Sequence, residues 1–352
     1  NTSFDIYIPE FGDFFADMAL YINMTGLEAV HPTNRVRYCN FLGHRLLQKV
    51  RFVSDNVSID SIDTENYNNY YDYILDPNKK SLWKKCIGQE QPIKGFLNPD
   101  PVNSLYKLEQ NLYNGNQTLK VKHTNTKLII PLIFWFCDIN KAISNICYNN
   151  KTYITVTLAD AEDICSCVDY ANDGGKFIKP TITEMILYTN HVFVSNEIKD
   201  YVNNMAGNSL IRVNETKSLI LTSPYDSISL NEFILPSEAL YVSFRPVENM
   251  EGSEKMNNWN KNKKMISNFV LAPVIFISGG SPAIGYNKIA FYDEEEVINT
   301  LSLKTTDLNI YGETNNVFYN SYIQYKYGNG INTADEMQDS YMFSFSPNPR
   351  QK

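Results

Sequence analysis

The sequence predicts an all-β protein with stacked sheets, arranged as two successive halves. Three observations carry this. First, Lys127–Leu158 opens with a run that is apolar from Leu128 to Cys137, broken only by Pro131. It closes with Ile154, Val156 and Leu158 alternating against Tyr153, Thr155 and Thr157. A strand buried on both faces followed by one with a single wet face suits a sandwich or barrel. The short apolar run alone is compatible with a buried helix, but Pro131 and the Ile, Phe and Trp content favour strand. Second, the chain holds 24 Tyr and 19 Phe, material suited to strands and broad packed contacts. Third, Asn172-Asp173-Gly174-Gly175 and then Lys179-Pro180 form a break, which sets an expected domain boundary at 170–182.

Bulk properties narrow the function. At 352 residues, either half can bury a core without disulfides or metals. A hydrophobic fraction of 43% excludes a disordered chain. The net charge of -8 argues against wrapping nucleic acid, which needs Lys and Arg on phosphates. Six irregularly spaced cysteines, at 39, 86, 137, 147, 165 and 167, suggest reduced thiols in a cytosol-like compartment. No signal peptide is visible, and the start at Asn1 leaves that open. The longest apolar run is about half of what a membrane-spanning helix requires.

Taken in order, Ile6 and Ile8 alternate with Tyr7. Phe14, Phe15, Met18, Tyr21 and Ile22 then fall at helical spacing, predicting an amphipathic helix between Asp13 and Gly26. Residues 34–53 predict two strand pieces around a turn at Gly43, with His44 solvated. Residues 54–126 read as a polar, Tyr-rich excursion with a helix over Ser104–Asn114, and its tyrosines predict contact with something. Ala159–Asp169 predicts one short helix. In the second half, Ile182–Val194 reads as strand, and Ser195-Asn196-Glu197 caps a helix to about Met205. Strands are expected at 209–214, 218–223, 239–244, 269–277, 301–311, 317–327 and 341–346, with a second long polar loop beginning at Arg245. The halves are similar in outline, without a residue-level repeat.

No residue set predicts chemistry, so no catalytic, cofactor-binding or metal residue is assigned and the chain is not expected to be an enzyme. Gly279–Gly285 (GGSPAIG) lacks the Lys-Ser/Thr of a phosphate loop and reads as a tight turn. Cys165-Ser-Cys167 with Cys147 lacks zinc spacing and has no nearby histidine before His191. Asp293–Glu296 reads as a solvated face. Sequons at Asn23, Asn56, Asn116, Asn150 and Asn214 fit chance in an Asn-rich chain.

An ordered set of segments carries a resemblance: GDFFADM (12–18), NRVRYCNFLGHRLLQKVRF (34–52), IIPLIFWF (129–136), TYITVTLADAEDI (152–164), SLIRV (209–213), ALYVSFRP (239–246), and SYIQYKYGNGINT with YMFSFSPNP near the end. In this order, across nearly the whole chain, they are similar to the major capsid protein of nucleocytoplasmic large DNA viruses, in particular its asfarvirus-like branch. The resemblance implies two tandem eight-stranded antiparallel jelly rolls, a double jelly roll, with long loop insertions and a few short helices. Residues 1–175 would form the first, with an insertion over about 54–126. Residues 182–352 would form the second, with an insertion over about 245–300, both insertions building outward towers. An N-terminal arm and further C-terminal strands are expected outside the chain, making it an excerpt of a longer protein and leaving the second barrel incomplete. The loop before Arg35 is shorter than in the asfarvirus protein.

What the resemblance implies about function is a structural, non-enzymatic role. The protein would self-assemble into pseudo-hexameric homotrimeric capsomers of an icosahedral shell, assembled in the host cytoplasm and resident in the virion. Its partners would be itself, neighbouring capsomers, minor capsid proteins and an internal membrane layer, with no direct nucleic acid and no cofactor. The alternatives are a jelly-roll glycan-binding module, for which Trp259 beside Asn and Lys is the one hint, a minor capsid or scaffold paralogue, and an enzyme on a β-sandwich.

Overall fold

The computed structural model describes residues 2–89, 119–137, 141–145, 151–205, 210–223, 226–250, 255–278, 281–305, 308–327 and 340–347. The first half is a sandwich of two sheets. One runs in the order β1 (Thr2–Tyr7), β9 (Thr152–Leu158), β5 (Leu47–Ser54), β6 (Val57–Asp63). The other runs β12 (Ile182–Val192), β2 (Phe14–Met24), β7 (Thr126–Pro131), with the short β8 (Ile143–Ser144) also on β2. All these pairings are antiparallel. Four short strands of two or four residues extend the rim: β3 (Glu28–Ala29) on β11 (Phe177–Ile178), and β4 (Arg35–Tyr38) on β10 (Cys165–Val168).

Alternation explains the sandwich. Val50 and Phe52 of β5 face Val156 and Ile154 of β9 in register, all fully buried. Leu20 and Ile22 of β2 face Ile130 and Leu128 of β7, also fully buried. The apolar faces of the two sheets close on one another, which is what stabilises stacked sheets.

The helix expected at 13–26 is instead the central strand β2. Phe15, Met18 and Ile22 fit a helical period, but Met18, Leu20, Ile22 and Met24 fit a period of two, and all four are buried. Ladders to β12 on one side and β7 on the other decide between the two periods. The helix expected over 159–169 is one turn, Ala161–Ile164, before β10.

β12 also bears on the expected boundary at 170–182. This strand was to open the second half, yet it pairs along β2 inside the first sandwich. The break at Asn172–Gly175 is a tight loop held by Asp169, whose carboxylate accepts from the backbone N–H groups of Ala171, Asp173 and Gly174.

The second half is built of antiparallel pairs: β13 (Ala239–Val242) with the distant β18 (Tyr341–Ser344), and the hairpins β14 (Lys264–Ser278) with β15 (Ser281–Glu295) and β16 (Thr300–Lys304) with β17 (Asn309–Asn315). Among the described residues its separate core is formed by Tyr319, Ile323, Tyr341, Met342 and Phe343. Residues 318–327, expected as strand, are helical. Tyr319 and Ile323, four apart, share the buried face, and Asn315 Oδ1 accepts the Phe318 N–H at 3.1 Å at its start. The strand-like stretches 210–214 and 218–223 have no ladder, and Ile220 is 87% exposed. Residues 245–264, expected as an irregular loop, contain helical turns at Val247–Met250 and Lys255–Asn258.

Candidate functional site: the seam between the halves

The first part of the 54–126 excursion is ordered and turned inward. A reciprocal cap starts a helix at Thr64–Asn69: Asp63 Oδ1 accepts from Asn66 N–H, and Asn66 Oδ1 accepts from Asp63 N–H, both at 2.9 Å. A π-helical turn at Tyr70–Ile74 and a helix at Lys80–Cys86 follow. The contact predicted for the tyrosines is made, among the described residues, with the core: Tyr67, Tyr71 and Tyr73 are buried. The helix expected at Ser104–Asn114 lies outside the described residues.

His44, read as solvated, is wholly buried among Tyr67, Tyr71 and Trp83. Its Nε2 accepts from Trp83 Nε1–H at 2.8 Å, and since indole nitrogen only donates, the ring proton sits on Nδ1, 3.1 Å from Asn68 Oδ1. Burial pulls its pKa down to about 3, so the ring stays neutral. Gly43 is not a turn glycine but a close-packing one: a Cβ there would lie 2.9 Å from Ile87 Cβ and 3.1 Å from Ile130 Cγ1.

From this layer the first half grips the second. Trp259 is 1% exposed, inside the first core with Met256. Its Nε1–H donates to the Asn40 carbonyl at 2.7 Å, and the Arg45 guanidinium lies 4.9 Å from its ring centroid. Asn40 N–H donates to the Met256 carbonyl at 2.7 Å. The Tyr73 ring packs, tilted, against Tyr241 with centroids 4.8 Å apart, and its hydroxyl donates to the Ser340 carbonyl at 2.8 Å. Arg245 reaches back to Glu65 at 2.6 Å and also donates to Asn262. Trp259 is therefore no exposed aromatic platform.

Asp60 is the titratable group of this seam. It points to the inner face of β6, opposite Phe52, and is 3% exposed. Its Oδ1 accepts from Ser61 N–H at 2.8 Å and from Asn214 N–H at 2.9 Å, tying the unladdered 210–216 segment to the first sandwich, while Oδ2 is buried without a partner. Burial raises its pKa from 3.8 to about 6. The folded state therefore binds this proton more tightly than the unfolded chain. The group's contribution is fully present below about pH 4 and is lost as pH rises through 6. Asp60→Asn keeps the acceptor and removes the charge. Its stability relative to the parent should be near zero at pH 4 and reach about +2 to 3 kcal/mol at pH 7 in urea titrations; a difference flat with pH would refute the assignment.

Among the described residues no group of three or more His, Cys, Asp and Glu could hold a metal ion, and no helix is long and apolar enough to cross a membrane. Cys39, Cys86, Cys137, Cys165 and Cys167 are not in disulfides, and burial pushes the Cys137 thiol up to about 12. Cys147 lies outside the described residues. Of the sequons, Asn23 sits within β2, Asn56 at the β5–β6 turn with φ 66, and Asn214 on Asp60; Asn116 and Asn150 lie outside the described residues.

Comparison with known proteins places this architecture. No family model matches the chain. In sequence it is 20% identical over 91% of its length to the hexon protein p72 of African swine fever virus (isolate Tick/Malawi/Lil 20-1/1983), and equally to the major capsid protein of the Warthog/Namibia/Wart80/1980 isolate. The chain spans 65% of the length of these relatives. In structure it matches the Faustovirus major capsid protein with a TM-score of 0.78 at 17% identity, covering 100% of this chain and 80% of that one. It matches the PBCV-1 virus capsid with a TM-score of 0.61 at 14% identity, covering 99% and 75%. These relatives are structural capsid proteins, not enzymes. The chain thus resembles the major capsid proteins of the nucleocytoplasmic large DNA viruses along nine-tenths of its sequence, and it has their double jelly-roll fold.

Proposed function

We propose that the chain is the structural building block of a viral shell, assembling with copies of itself into homotrimeric, pseudo-hexameric capsomers that tile an icosahedron. The supporting observation is the agreement of sequence order and fold with capsid proteins over essentially the whole chain. The seam adds a physical reason. A capsomer with six similar lobes needs the two lobes of each copy held at a fixed angle. Buried side chains from both halves hydrogen-bond across the seam, and a packed core of this kind does not bend continuously. Heterologous contacts between copies then close into a ring.

In this reading the protein resides in the virion shell after cytoplasmic assembly. It meets minor capsid proteins and an internal membrane layer, and it touches no nucleic acid. The two sandwiches correspond to 1–175 and 182–352, with β12 exchanged into the first. Images of purified protein should show a three-lobed, roughly hexagonal outline, with a solution mass near three times 40.4 kDa. A compact monomer at micromolar concentration would sink the reading.

A further inference from the structure

Asp60 owes its place in the core to a backbone irregularity. Along the β5–β6 pair the register runs Phe52↔Asp60 and then Val53↔Ser58, so Ile59 is an extra residue on β6. The bulge shifts the phase of the strand. Beyond it Asp60 and Ile62 are both buried, while Ile59 is half-buried and Ser58 exposed. A carboxyl therefore sits opposite Phe52, in a layer otherwise filled by apolar side chains.

One oxygen of that carboxyl is served and the other is not. Oδ1 accepts from the Ser61 and Asn214 N–H groups, and Oδ2 is buried without a partner. A neutral carboxyl loses little there, whereas a carboxylate brings charge into a site that cannot hydrate it. The charged groups of the surrounding elements are turned elsewhere. On β5, Lys49 and Arg51 are exposed on the opposite face. The apolar run after β7 brings the Cys137 thiol, held neutral by burial, which also feels Asp17 of β2. On β6, Asp63 caps the following helix. In the 210–223 segment Arg212 pairs with Glu238 and Lys217 with Glu232, both at 2.8 Å, and Glu215 is exposed.

The neighbours of Asp60 differ in how firmly they are held. β5 and β6 are laddered to each other, and β5 also to β9. Residues 210–216 belong to no ladder, and Leu210 is 101% exposed. A segment with few fixed backbone pairs opens at the lowest cost. We infer that Asp60 is a proton-operated latch: its neutral carboxyl keeps the strap 210–216 docked on β6, and its ionisation lifts the strap so that water reaches the carboxylate. Two N–H donors favour the ionised form, but lost hydration outweighs them and raises the docked carboxyl from 3.8 to about 6. The docked state binds the proton more tightly than the lifted one. Docking is therefore complete below about pH 4 and weakens as pH rises through 6. With 3.8 for the lifted carboxyl, lifting becomes roughly 50-fold more favourable between pH 4 and pH 7. The latch needs no second molecule, so it stands apart from the proposed self-assembly.

Hydrogen exchange of the Asn214 amide in the full chain, corrected for intrinsic pH dependence, tests this. Its protection should fall roughly 50-fold from pH 4 to pH 7. At every pH it should lie below that of Val156 in the β5–β9 ladder, because the strap opens without the sandwich. Asp60→Asn keeps the acceptor without the charge, so its Asn214 protection should stay at the acid level of the parent throughout. A second measurement needs no change at Asp60. Trypsin cleavage after Arg212, normalised to a peptide of the same sequence, should be about tenfold slower at pH 5 than at pH 7. A flat parent profile, or the parent's pH dependence persisting in Asp60→Asn, would overturn the latch. So would equal protection of Asn214 and Val156, which would make the opening global.

Discussion

Trp259→Ala should lower the unfolding free energy by about 3–5 kcal/mol, the usual cost of deleting a fully buried indole. The ring is 1% exposed, donates to the Asn40 carbonyl and lies under Arg45, so the variant leaves a cavity, an unpaired carbonyl and a stripped cation at once. The position makes the effect more than local. Trp259 belongs to the second half and sits in the core of the first. The parent should unfold in urea as one transition, and the variant in two. Trp259→Phe keeps most of the apolar area and loses the hydrogen bond, so about 1–2 kcal/mol is expected. A single unshifted transition in Trp259→Ala would show that the seam contributes little.

Phe52→Ala should cost a similar 3–5 kcal/mol with a different signature. Phe52 is fully buried, and its ring lies 4.9 Å from Phe136, 5.5 Å from Trp135, 5.8 Å from Phe134 and 6.3 Å from Phe15. It is the hub between β5 and the apolar run after β7, so its loss loosens both sheets together. The transition should move to lower urea without splitting. Near-ultraviolet circular dichroism, which reports fixed aromatic packing, should weaken more than in Trp259→Ala. An Ala variant within about 1 kcal/mol of the parent would mean that the ring cluster collapses to fill the gap.

What could be read from residues alone follows from where the deciding partner sits. β9 was legible because Ile154, Val156 and Leu158 alternate against polar neighbours. Its one-sided burial is written locally. The apolar run from Leu128 is strand only as far as Pro131, and Ile129 is 46% exposed, so β7 is not the strand buried on both faces that its apolar content suggested; the rest of the run, Leu132–Phe136, packs into the core without a ladder. β2 misled because its buried positions satisfy two periods, and only the ladders to β7 and β12 choose between them. His44 and Trp259 misled for a related reason. The partner that fixes each lies far along the chain: Trp83, 39 residues from His44, and the Asn40 carbonyl, 219 residues from Trp259. The Tyr-rich 64–74 stretch looked like an outward loop, and no local signal marks Tyr73 as the hydrogen-bond partner of Ser340, 267 residues on. The capsid likeness was read from segment order and needed no tertiary contacts.

The placement of Trp259 also bears on biosynthesis. The Asn40 carbonyl waits 219 residues for its indole donor. The sandwich is complete only once β12 is made, and Trp259 follows its last residue, Val192, by 259 − 192 = 67 residues; at about 5–20 residues per second that is roughly 3–13 seconds in which the nascent amino-terminal sandwich holds an open, greasy slot. Such an interval invites chaperone engagement during translation, and a chain released before the tryptophan emerges should be captured and degraded rather than accumulate.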